Sequence, residues 1–121
     1  MVSNHELVKA FAASGVVPEQ TLVKAGAEDD FVVPATADTD IVLGVAGDLD
    51  VTDDTCDVVL SGIARVVAGG AISFGAQVTA GAGGKAVAAS AGNRIAGIAM
   101  ESATADGDVI SIQIIVGGIT A

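Results

Sequence analysis

The chain has 121 residues, with 15 acids against five bases for a formal charge of -10, and 16 glycines beside only three aromatics, Phe11, Phe31 and Phe74. That is one domain's length, and its acidity argues against nucleic acid or an anionic membrane as a partner, since both would repel it. The start, Met1 to Glu6, lacks the basic and apolar regions of a signal peptide, no apolar run reaches the ~18 residues of a membrane helix, and a lone Cys56 excludes an intrachain disulfide.

Ser3-Asn4-His5-Glu6 has the form of a capping box, and Leu7, Val8, Phe11 and Ala12 share one helical face ahead of Gly15. The spacing predicts a short helix over residues 4–14. Val16-Val17-Pro18 reads as extended, because the residue before proline avoids the helical region. Such a helix is marginal alone in water. Residues 1–20 are therefore read as an N-terminal arm that docks on a partner, and residues 21–121 as a β-rich domain.

From Thr21 onward the pattern is of strands. Short ones are expected over 21–25 and 31–34, the latter stopped by Pro34 at a sheet edge. Residues 47–57 form an acidic connection carrying Asp48, Asp50, Asp53, Asp54 and Asp57, expected to face solvent. The run from Gly62 to Ala89 breaks into strands over 63–68, 76–79 and 85–88, separated by glycine turns. Near the end, Ile110, Ile112, Ile114 and Val116 alternate with Val109, Ser111, Gln113 and Ile115, the period of a half-buried strand, and residues 117–121 read as a tail.

An internal repeat links these strands. Ile41-Val42-Leu43-Gly44-Val45-Ala46 matches Arg94-Ile95-Ala96-Gly97-Ile98-Ala99, and each leads through an acidic or polar turn to Asp and an apolar strand, at Asp57 and at Asp108. The repeat suggests two strand pairs in one sheet or barrel. With no Trp or Tyr the interior must be filled by Val, Ile, Leu and Ala, a thin core for which self-association would supply burial. The expected class is all-β: a small glycine-rich, β-tulip-like barrel with a short N-terminal arm or helix.

Motifs that carry chemistry are weak. Gly81-Ala82-Gly83-Gly84-Lys85 lacks the first glycine and the final hydroxyl of a phosphate loop, since Thr79 and Ala86 stand there. The acids between Asp48 and Asp57 miss the EF-hand pattern at Thr52 and Asp53. Cys56, in phase with Val58 and Leu60, reads as a small buried hydrophobe, and the only histidine is His5, so no catalytic, cofactor-binding or metal-ligating residue is expected. Arg65 and Arg94 lie within apolar strands, where they make a salt bridge, snorkel, or pair with an acid across an interface.

Two stretches carry a family resemblance. One is Leu60-Ser61-Gly62-Ile63-Ala64-Arg65-Val66 through Gly84-Lys85-Ala86-Val87; the other is Arg94-Ile95-Ala96-Gly97-Ile98-Ala99-Met100-Glu101-Ser102-Ala103 with Gly107-Asp108-Val109-Ile110. Together, over residues 41–116, they resemble the capsid decoration, or head cement, proteins of tailed bacteriophages. The resemblance implies a structural, non-enzymatic virion protein without cofactors, made in the host bacterial cytoplasm and bound to the outer surface of the expanded head. It implies a homotrimer over three-fold or quasi-three-fold positions that bridges major capsid protein subunits against DNA pressure. Leu7, Val8, Phe11, Val16 and Val17 would supply the capsid contacts. The alternative is a small homo-oligomeric β-barrel that binds a sugar or calcium.

Overall fold

A computed structural model describes residues 4–119, with side-chain surroundings for residues 7–115. Eleven strands follow in order: β1 Asn4–Ala13, β2 Val16–Val17, β3 Leu22–Ala25, β4 Phe31–Pro34, β5 Val42–Ala46, β6 Val51–Thr52, β7 Thr55–Val67, β8 Gln77–Ala80, β9 Ala86–Ala88, β10 Arg94–Ala99 and β11 Val109–Ile119. Among the described residues the one helical turn is a 3-10 turn at Ala82–Gly84, which links β8 to β9. The all-β class is the one expected.

Nine strands form a single sheet in the order β1-β4-β3-β5-β7-β11-β10-β8-β9, and β1 also pairs with β7. That last pairing closes β1, β4, β3, β5 and β7 into a five-stranded barrel. Closure removes sheet edges that a small β protein must otherwise guard. The long strand β7 joins the barrel to the rest: its stretch from Thr55 to Ile63 pairs with β1, Val58 and Val59 with β5, and Ile63 to Val67 with β11. Beyond it, Ala68 bridges to Ala86 on β9, so the outer strands curl back toward β7.

Alternation along the shared strands builds two cores. Val23, Ala46 and Val58 point into the barrel with Ala13, Val17, Val32 and Cys56. Their chain neighbours Leu22, Val45 and Val59 point the other way, into a larger cluster with Val66, Val78, Ile110, Ile112 and Ile114. Both faces of β3, β5 and β7 are therefore buried. A fully buried Val or Ile contributes roughly 1.5–3 kcal/mol relative to exposure, so these few β-branched residues carry most of the apolar stabilisation beside many alanines.

The helix expected over residues 4–14 is instead strand β1, with eight of its residues in register on β7. Register shifts between His5 and Leu7 and between Leu7 and Val8 break the period-2 pattern, so the apolar spacing imitates a helix. Ser3 of the expected capping box lies outside the described residues. The tail is corrected too, because β11 runs to Ile119. The separate strands expected around Asp57 to Leu60 and over 63–68 are one strand; Gly62, at φ +92°, bends it without ending it.

The strand-pair repeat is real in three dimensions. β5 runs antiparallel to β7 and β10 antiparallel to β11. In each pair the matching glycine lies hard against its neighbour: a Cβ on Gly44 would collide with the Val59 carbonyl oxygen, and one on Gly97 with that of Gln113.

Candidate functional site

The five residues expected to contact a capsid do not share one environment. Leu7 and Val8 are 54% and 46% exposed on β1, and Val16 is 59% exposed. Phe11 is half-buried against the barrel core, with the Lys9 ammonium 4.1 Å from its ring centroid. Val17 is fully buried in that core, which corrects its assignment: its side chain cannot reach a partner while the barrel is closed.

The backbone of β1 adds to this surface. One edge lies on β7 along its length, while the other meets β4 only at Ala12 and Ala13. The Ala12 amide donates to the Asp30 carbonyl at 2.8 Å, so alternation places the amides and carbonyls of Ala10 and Val8 on the same edge. No strand among the described residues covers them. Lys9 guards the opening. Its Nζ donates to the Ala10 carbonyl at 3.4 Å and pairs with Asp30 at 3.2 Å, the kind of charge that keeps an edge from indiscriminate pairing.

The acidic connection is not simply solvated. Asp53 Oδ1 accepts from the Gly15 amide and Asp50 Oδ1 from the Glu19 amide, each at 2.8 Å, and Asp48 accepts from the Gln20 side chain at 3.0 Å. With the β2–β6 pairing, these bonds hold residues 15–20 over one end of the barrel. The reason is local: a turn-rich backbone leaves amides free, and carboxylates satisfy them. Beside this end lies a cavity of about 190 Å³ with Asp48 and Asp57 on its walls and Cys56 among its lining residues. Small-molecule sites usually begin near 300 Å³. Burial, with the Asp57 charge second, pushes the Cys56 thiol up from its ordinary pKa. Among the described residues no group of three or more His, Cys, Asp or Glu gathers as a metal cage.

The arginines behave differently from the lysines. Lys9, Lys24 and Lys85 pair with Asp30, Asp40 and Asp106. Neither Arg65 nor Arg94 makes an ion pair among the described residues, so the salt-bridge expectation within the chain is not met. Sequence reasoning also passed over Leu49 and Phe74, which are 76% and 70% exposed. Their context was the available signal: Leu49 stands between two aspartates and Phe74 beside Gly75, in turns where a large apolar side chain has no core to enter.

These features define a small all-β module that presents apolar side chains and an open strand edge rather than a deep cleft. The phage cement protein family model matches residues 2–114, and the chain belongs to that family of structural phage head proteins. A crystal structure of the head fiber gp8.5 N base in bacteriophage phi29 matches with a TM-score of 0.73 at 23% identity, covering 90% of this chain and 93% of that one. At that identity the likeness is one of fold. No curated protein matches.

Proposed function

We propose that this protein cements the expanded phage head: a homotrimer on the outer surface, at three-fold or quasi-three-fold positions, bridging major capsid protein subunits against internal DNA pressure. The observation that carries this reading is the β1 edge, where Leu7 and Val8 are exposed beside main-chain groups of Val8 and Ala10 that no strand among the described residues pairs with. An extended capsid segment added there gains main-chain hydrogen bonds, and the flanking apolar side chains give it register. Val16, also exposed, extends the contact, so the docking element is the exposed side of residues 7–16 and not the buried Ala13 and Val17.

Cementing needs no chemistry. Modest contacts repeated over a symmetric shell raise the barrier to rupture by multivalency. The protein is made in the host cytoplasm and ends on the virion. The ligand-binding alternative has less support, because the cavity beside Cys56 is small and one of its two wall carboxylates, Asp48, already accepts from the Gln20 side chain.

The test is binding of purified protein to expanded heads that lack it. Wild type should saturate the heads, and the pair Leu7→Glu with Val8→Glu should bind at least about tenfold more weakly at an unchanged melting temperature. Equal binding by the double variant would remove β1 from the interface.

A further inference from the structure

The two outer strands of the large sheet, β1 and β9, end differently. On the β9 side the Gly69 amide donates to the Ala86 carbonyl at 2.7 Å and Ala68 bridges to Ala86, so that border is covered. On the β1 side, β4 begins only at Phe31, opposite Ala12, and the residue before it, Asp30, turns the chain away at a φ of +64°. Val8 and Ala10 lie beyond that point.

A single side chain reaches into the gap. Lys9 is 50% exposed, and its ammonium lies 3.2 Å from Asp30 Oδ1, 3.4 Å from the Ala10 carbonyl and 4.1 Å from the centre of the Phe11 ring. A carboxylate, a carbonyl and an aromatic face together make a cation site, which the chain fills with its own lysine. That occupant is held loosely. An exposed ion pair gains little over hydration, and a strand added along β1 needs the Ala10 carbonyl for its own amide. Docking therefore displaces the Lys9 ammonium from Ala10.

Local charge decides what takes its place. Glu28, Asp29 and Asp30 are all exposed in the turn between β3 and β4, and among the described residues Lys9 is the one cation paired with any of them. An acidic side chain brought to this end of the edge meets three like charges, whereas a basic one finds Asp30 and the Phe11 ring. We infer that the segment docking along β1 carries a basic residue, arginine above lysine, which exchanges with Lys9 on Asp30 and Phe11. Arginine suits the place better because a planar guanidinium stacks on a ring while giving two hydrogens to a carboxylate. The inference deepens the cement reading and rests on it for the source of the segment, an extended stretch of capsid protein. It supplies specificity as well: Leu7 and Val8 accept any apolar strand, and the Lys9 site sorts such strands by charge.

The first arm of the experiment needs no heads. Two capped threonine-valine strand peptides, one with arginine and one with glutamate at both ends, are added to the full chain while backbone amide exchange is followed. The arginine peptide should bind and slow exchange at Val8 and Ala10, and the glutamate peptide should not. Glu28→Gln, Asp29→Asn and Asp30→Asn together should weaken the arginine peptide at least about tenfold, asparagine being tolerated at positive φ. Removing two exposed acids elsewhere, by Glu19→Gln with Asp38→Asn, should leave it unchanged. Lys9→Met takes away the internal occupant and should tighten the arginine peptide about threefold. Unprotected Val8 and Ala10 amides, equal binding of the two peptides, or a triple variant that binds as wild type does overturns the inference. Should the triple variant fail to fold, Lys9→Met decides alone, and binding no tighter than wild type overturns it.

The second arm uses expanded heads. Heads that stay bare, beside an arginine peptide seated on β1, would sink the cement reading and leave this inference standing. Heads that bind wild type and the triple variant equally would sink this inference and leave the cement reading.

Discussion

Asp40 and Asp108 hold two copies of the same loop. Oδ2 of Asp40 accepts from the Thr36 and Ala37 amides, both at 3.1 Å, and Oδ2 of Asp108 accepts from those of Thr104 and Ala105 at 2.8 and 3.1 Å. The chain reads Ala35-Thr36-Ala37-Asp38-Thr39-Asp40 in one place and Ala103-Thr104-Ala105-Asp106-Gly107-Asp108 in the other. Ala35 and Ala103 both anchor their loop in the larger core, and the loops launch β5 and β11. This match equates β5 with β11, whereas the glycine match equates β5 with β10, so the loop is a turn solution used twice and not a piece of the strand-pair repeat.

Acid should loosen both loops. Burial pushes the Asp40 carboxyl up, but the Lys24 hydrogen bond, the Ala37 and Thr36 amides and the Lys24 charge together hold it below its ordinary value. The Thr104 amide and hydroxyl, with the Ala105 amide, hold Asp108 below its own. A carboxyl with a lower pKa folded than unfolded stabilises the fold above the unfolded value of about 3.9, and that contribution is lost as pH falls through the folded value. Melting temperature should therefore fall below about pH 4, and less steeply in an Asp40→Asn, Asp108→Asn double variant. At neutral pH Asp40→Asn alone should cost about 1 kcal/mol in urea unfolding.

Gly44 and Gly97 give a sharper contrast. Alanine at either position drives a methyl into a strand carbonyl, and such overpacking costs about 1–3 kcal/mol or more. Gly70, with nothing within 4 Å and no positive φ, is the control, where alanine should change stability by less than about 0.5 kcal/mol. Equal effects at the three sites in urea unfolding would contradict the packing described.

What could be read in the sequence follows from where local pattern and tertiary pairing agree. The alternation of Ile110, Ile112 and Ile114 survives in β11 because one face is buried throughout, and Phe31–Pro34 ends at the proline as expected. β1 was hidden because its two register shifts erase alternation, and β7 because Ser61-Gly62 reads as a turn. Leu7, Val8 and Val16 lie exposed on the surface, but Val17 was not separable from Val16 in the sequence, since its burial depends on the pairing of β2 with β6, far along the chain. The place of Lys9 between Asp30 and Phe11 required the meeting of β1 with the turn before β4.

Burial of Cys56 makes its thiol a probe of barrel closure. It is 1% exposed and its pKa is raised, so a thiol reagent near neutral pH should react slowly with native protein and rapidly in denaturing urea. Fast labelling of the native chain would mean the barrel end opens readily.

Deleting residues 1–20 would not test docking cleanly, because Ala13 and Val17 belong to the barrel core. Val17→Ala should itself cost about 2 kcal/mol, and its effect on head binding should follow its effect on folding. Substitution at Leu7 should do the reverse, weakening binding and sparing the melting temperature.

The most direct measurement is imaging of expanded heads lacking the protein after purified protein is added back, at a resolution that traces β1. If the β1 edge docks on the head, density should appear on the outer surface at local three-fold positions, with a capsid segment lying along the Val8 and Ala10 edge and greater resistance of the heads to heat. Heads that stay bare at saturating protein, or protein bound with the β1 edge turned to solvent, would contradict it.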